Sequence, residues 1–265
     1  MRRQVGREYK RAVRRRNDGG PIADDDPRLF SPILHGKDEQ GEPARSHAHA
    51  FYVPADEDSD GRIDHVTIFA TGRFSRDDVA AIDRLRSLSF GEGPRAQAET
   101  GSHDRPTTHR LLLVGLDDLT RLHGDQFGPA WVWESATPYI AFRHLKRRGR
   151  KRDVPAFHSA DAFPLFMSQF LREDWDQRTD LQHLPPPEKI EYIPAPHESY
   201  ENGGLGWRHR SLQFRRGRSR RGDDGYTRPF GAFRLTFPVA IQGPLNLGYA
   251  CHFGLGLFRA ASSVR

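Results

Sequence analysis

Apolar residues recur along this chain at two periods, one near four residues and one of two, and the switches between them predict a mixed α and β architecture. Residues 1–16 read as one short basic helix, followed by the turn-rich linker NDGGPIADDDPR. From Ser46, SHAHAFYVP reads as a short strand ending at Pro54, and ADEDSDGR as an acidic turn. Ile63 to Ala70, IDHVTIFA, is rich in β-branched and aromatic side chains and reads as a second strand. Ser75 has the character of a helix N-cap. Val79, Ile82, Leu85 and Leu88 follow at helical spacing, and Asp77 and Asp78 suit the positive end of a helix. Arg95 to Arg105 is a polar loop, and His109 to Leu116, HRLLLVGL, a further strand.

A second series follows. Trp131 to Phe142 is strand-like with a break at Pro138. Ala160 to Trp175 is helical, with Pro164 in its first turn, where a missing N–H costs nothing. PPPEKIEYIPAP frames a short strand with prolines, GAFRLTF at 231–237 alternates as another, and the chain closes on GPLNLGYACHFGLGLFRA. Two successive mixed series predict two α+β units, at residues 46–120 and 130–265, preceded by a basic N-terminal extension and linker at 1–45.

Charge changes the picture more than composition does. Lysine and arginine number 41 against 35 acids, giving +6 and a pI near 9.7. Residues 1–16 hold eight bases against Glu8; residues 143–152 hold seven and no acid; residues 208–221 hold seven arginines and no acid. Three such runs point to a polyanionic partner, and arginine's planar fork suits phosphate and base stacking. The expected contacts are Lys146, Arg147, Arg148, Arg150, Arg215, Arg216, Arg218, Arg220 and Arg221. No apolar run approaches the roughly 20 residues of a membrane helix, and the basic N-terminus has no apolar core, so neither a membrane span nor a secretory signal is expected. The single cysteine, Cys251, excludes an internal disulfide and a multi-cysteine zinc site and fits a reducing, cytoplasmic compartment.

Several motifs could carry chemistry. Gly243, Gly248, Gly254 and Gly256 form a glycine-rich C-terminal run that is not a Walker loop, since no GKS or GKT follows. It is either a close-packed hairpin or a backbone that approaches phosphate. Asp56, Asp58, Asp60 and Gly61 match the start of a calcium loop, but the twelfth position is Thr67, so an acidic strand-joining turn is the reading, with a structural cation as the alternative and no metal assigned. Trp131, Trp133, Tyr139 and Phe142 read as strand core, with base stacking as the alternative.

GPLNLGYACHFGLGLF at 243–258 resembles the glycine-rich loop and last strand of the RAMP superfamily of CRISPR proteins. The block at 35–70, with SATPYIAFRHLKRRGR at 135–150 and LQFRRGRSRRGDDG at 212–225, is similar to the fused Cas five–Cas six subunit of type I-G (formerly I-U) effectors. The resemblance runs in register with its Cas-six-like C-terminal half. It implies two ferredoxin-like (RRM-like) units in tandem and metal-independent, cofactor-free endonucleolytic cleavage of CRISPR repeat RNA. The ribose 2′-OH would be the nucleophile and a 2′,3′-cyclic phosphate the product. The implied partners are the repeat or guide RNA hairpin and other subunits of a type I effector complex. The alternative is a RAMP subunit that holds guide RNA without cutting it.

Such a reaction needs a base at the 2′-OH, an acid at the leaving 5′-oxygen and positive charge at the phosphorane. Of thirteen histidines, His47 and His49 lie two apart in the resembling block and would share one face of a strand. They are the expected catalytic residues, with His49 favoured. His65 begins an H-x-T-x pattern of two-histidine phosphoesterases, with only the weak partner His197. His252, Gly248 and Gly254 are the expected RNA contacts of the glycine-rich run.

Overall fold

In a computed structural model of the chain, the structure describes residues 1–37, 40, 42, 44, 46–58, 60, 62–90, 107–118, 121–122, 124–142, 162–193 and 230–261. They divide into two compact units, one of residues 1–52 and 68–117, the other of 53–67 and 118–265. The architecture is mixed α+β with antiparallel sheets. Among the described residues, no helix is long and apolar enough to cross a membrane.

The first unit is built on three helices: α1 (Arg2–Arg16), α2 (Pro32–His35) and α3 (Arg76–Asp83). The sequence leads one to expect α1 as an extension. In the structure its buried Val5, Tyr9 and Ala12 form one stripe at helical spacing, and α1 packs on α3. Val5 and Tyr9 join Leu34, Ala50, Tyr52, Ala81, Leu85 and Leu88 in a single core. An Arg16–Asp77 ion pair at 3.0 Å ties the end of α1 to the first turn of α3. Ser75 caps α3 as its sequence predicts, in a capping box with Asp78.

The strands of this region are β1 (Phe51–Ala55) with β2 (His65–Phe69), and β3 (Ser87–Phe90) with β4 (Thr107–Arg110). Among the described residues they form two separate two-stranded sheets. The apolar spacing predicts a helix running to Leu88, but α3 ends at Asp83. The reason is that Ser87-Leu88-Ser89 also alternates with period two. Leu88 reaches the core from a strand, opposite His109, while Ser89 meets Thr108 through their hydroxyls at 3.1 Å.

The second unit holds β5 (Ala130–Ser135), β6 (Tyr139–Ile140), α4 (Ala162–Gln177), β7 (Lys189–Ile193), β8 (Phe230–Ile241), β9 (Leu245–Asn246) and β10 (Leu257–Ala260). The antiparallel strand order is β7–β8–β5–β10–β9, and β6 pairs with the start of β8. Met167, Leu171 and Trp175, spaced by four on α4, bury against Trp133, Phe233, Leu235 and Phe237 of the sheet. The break expected at Pro138 separates β5 from β6. The β5–β8 pairing slips between Ala130 and Val132, and Trp131, at that irregularity, is 60% exposed while Trp133 is fully buried.

Below the sheet's last connection lies a buried ion pair. Arg178, 3% exposed, grips Asp180 with two hydrogen bonds of 2.7 and 2.6 Å and donates to the Asn246 carbonyl at 2.9 Å. Asp174 accepts from the Gly248 N–H at 2.7 Å, fixing the turn from beneath. Gly256 closes that turn. Its φ is +58°, and a Cβ there would lie 1.7 Å from the Leu247 carbonyl oxygen. Gly256→Ala is therefore expected to destabilise this unit by about 3 kcal/mol or more. Gly124→Ala is the control, since Gly124 also has positive φ (+115°) but nothing within 4 Å of a Cβ, and should cost less, the backbone strain alone of about 1–3 kcal/mol. Urea denaturation of both variants checks this; equal costs would refute the steric argument.

Candidate functional site

Residues 46–49 form a turn that lies between α2 and β1. The sequence places His47 and His49 on a strand; the structure corrects this. Backbone bonds from Ala50 N–H to the Ile33 carbonyl (2.9 Å) and from Gly72 N–H to the Ala48 carbonyl (3.1 Å) hold the segment to its neighbours before any ladder begins. The turn nevertheless brings the two imidazoles together. Their rings are stacked, with centroids 6.5 Å apart and planes 15° from parallel. The His49 Nδ1 lies 3.0 Å from the Ser46 carbonyl oxygen. A carbonyl can only accept, so Nδ1 carries the proton and Nε2 is the basic nitrogen of the neutral ring.

Gly36 lets this cluster close. It caps α2 with φ +56°, and a Cβ on it would lie 2.5 Å from the His49 ring and 2.6 Å from the Arg2 guanidinium. Arg2 and His49 thus approach each other across a bare backbone. Burial acts to lower the Arg2 pKa, with the Tyr52 phenol opposing it. Tyr52 donates to the Leu34 carbonyl at 3.0 Å, and burial pushes its own pKa well above the usual phenol range. Sequence reasoning treats the arginines of 1–16 as one charge run and does not single out Arg2. The signal available was that α1 has an apolar stripe, which fixes where each arginine points.

His35, one turn away, was also not singled out. Its Nδ1 accepts from the Ser31 N–H at 2.9 Å, so the proton sits on Nε2, against Gly6 of α1. The rings of Tyr9 and Phe30 meet it edge-on. Burial lowers its pKa to about 4, outweighing the Ser31 bond, so it is a neutral packing histidine.

Those of the other expected site residues that the structure describes belong to the second unit. His65 opens β2 with Nδ1 3.0 Å from Asp64 and 3.6 Å from Glu57, and the Asp64 bond chiefly raises its pKa. Carboxylate oxygens of Asp56, Asp58 and Asp64 gather within 4.8 Å of one another. All three are used by the turn: Asp64 accepts from the Glu57 N–H, and Asp56 and Asp58 from the Asp60 N–H. In the glycine-rich run, the Gly248 N–H is taken by Asp174 and the Gly254 N–H by the Cys251 carbonyl at 3.3 Å. His252 is 8% exposed, and burial pushes the Cys251 thiol up to about 11. Gly248 is closely packed, since a Cβ on it would meet the Ile140 carbonyl at 2.5 Å. Of the four aromatics, Trp133 and Tyr139 are core, Phe142 packs edge-on against Phe170, and Trp131 faces outward. Lys146, Arg147, Arg148, Arg150, Arg215, Arg216, Arg218, Arg220, Arg221 and His197 lie outside the described residues.

Compared with family models, curated proteins and solved structures, the chain matches none of them.

His35 generates a pH prediction. Its folded pKa is depressed below the ordinary 6.5. As pH falls through that window the unfolded chain takes up a proton that the folded one refuses, so stability falls. The expected loss between pH 7 and about 4 is on the order of 3 kcal/mol. Urea midpoints across that range, compared with His35→Gln, check it; an identical slope in the variant would refute the assignment.

Proposed function

We propose that this chain binds CRISPR repeat RNA and cleaves it without a metal, as its resemblance to the Cas-six-like half of the fused subunit implies. The observation that carries the reading is the stacked His47–His49 pair with Arg2 facing His49 across Gly36. It gathers, in one unit, the three groups that cleavage by an internal hydroxyl requires. His49 Nε2 takes the proton from the ribose 2′-OH as that oxygen attacks phosphorus. His47, protonated, gives a proton to the departing 5′-oxygen. Arg2 offsets the charge of the phosphorane. The products are a 2′,3′-cyclic phosphate and a 5′-OH, and the second turnover begins when the two histidines exchange their protons with water.

The strand order of the second unit also supports this reading. Relabelled in chain order, β5, β7, β8 and β10 lie as 2-3-1-4 with α4 between the first two, the order of a ferredoxin-like unit. The three-residue turn Cys251–Phe253 stands where the second helix would. Exposed Trp131 on β5 offers a ring on which a base can stack. The basic runs at 143–152 and 208–221 supply phosphate contacts in this proposal, in a cytoplasmic type I effector complex.

Labelled repeat RNA incubated with excess protein and EDTA is the test. Cleavage is expected to survive EDTA. His47→Ala and His49→Ala should each lower the single-turnover rate by about 10²–10⁴ while RNA stays bound. Parental rates in both variants would overturn the assignment of these histidines. A parent that binds but never cuts would make the chain a guide-RNA-holding subunit.

A further inference from the structure

We infer that residues 110–118 pair with the same residues of a second copy of this chain, as an antiparallel β-ladder centred on Val114. β4 ends at Arg110, and the last bond linking this segment to β3's side is Leu111 N–H to the Arg86 carbonyl at 2.9 Å. Among the described residues, 112–116 make no further backbone hydrogen bond. Yet Leu112, Val114 and Leu116 are 82%, 77% and 59% exposed. Alternate residues of an extended segment share one face, so this is a row of apolar side chains beside unpaired backbone, a template for strand addition.

The sequence RLLLVGLDD identifies the occupant by its self-complementarity. A two-fold axis relating antiparallel strands stands normal to the ladder and keeps each residue on the same face in both copies. Facing residues must therefore differ by an even number. Centred on Val114, the register sets Val114 against Val114, Leu112 against Leu116 twice, and Arg110 against Asp118 twice. Every exposed apolar side chain meets another, and opposite charges close both ends. Moving the centre to Leu112 or Leu113 sets Arg110 against Val114 or Leu116, and moving it to Gly115 or Leu116 sets Leu112 or Val114 against Asp118. The three apolar residues and the two charges thus agree on one register and on a partner identical to the chain itself.

The test uses the full chain, nuclease-treated and in high salt so that RNA cannot bridge copies. Sedimentation velocity over a concentration series is expected to show a monomer–dimer equilibrium. Val114→Arg should weaken the dimer about 100-fold, by removing an apolar pair and opposing two like charges. The thermal melt of the monomer should stay unchanged, because the side chain is exposed. Val114→Cys should be linked to itself by a short bis-maleimide, whereas Leu116→Cys should link only when mixed with Leu112→Cys. The parent, whose single Cys251 is buried, should not link. A monomer at every concentration, a dimer indifferent to Val114→Arg, or a dimer in which Val114→Cys does not link would each overturn the proposal.

Discussion

The buried charge of Arg178 is the constraint around which the second unit is arranged. A guanidinium in a nearly dry interior is tolerated only where its donors are met by acceptors of fixed geometry. Burial alone would lower its pKa; the two-pronged Asp180 and nearby Asp174 outweigh that and hold it above its usual value. Because Arg178 follows α4 directly and also bonds the Asn246 carbonyl, the end of the helix, the strand β9 and the turn after it are bound to one charge. Asp174, four residues earlier, then holds Gly248. A Cβ on Gly248 or Gly256 would strike the Ile140 or the Leu247 carbonyl, so the turn lies over this network only because those positions carry no side chain.

Much of the fold was legible because its elements carry consistent local signals. Ser75 and Asp78 mark a helix start in any context, Pro164 fits only a first turn, and the alternation of 231–237 has no helical reading. The end of α3 was not legible, because Leu88 fits both the helical spacing after Leu85 and the Ser87-Leu88-Ser89 alternation, and only its pairing with His109 decides between them. The outward turn of Trp131 was likewise hidden, since it depends on a slip of register against β8 and not on anything in β5 itself.

The candidate site was legible in its residues but not in its construction. His47 and His49 stand out by spacing, yet they meet through a turn fixed by distant backbone bonds from Ala50 and Gly72. Arg2 lies 45 residues or more from both, and nothing local to either end announces the approach across Gly36. His35 shows the reverse case. A histidine in a block rich in chemistry is neutral and structural because burial against two aromatic edges disfavours its charged form. Residue type indicated which groups could titrate; burial takes His35 out of that set near neutrality.

The packing of α1 has an energetic consequence. A flexible run of eight bases would surrender backbone freedom whenever a polyanion ordered it, at about 1–2 kcal/mol per residue fixed. α1 has already met that cost through Val5, Tyr9 and Ala12, which lock its 15 residues against the core. Its arginines therefore stand on a rigid rod about 22 Å long, at intervals set by the helix rather than by the ligand. Under the proposed function, a polyanion whose charges do not match that spacing would be bound less well than one whose charges do.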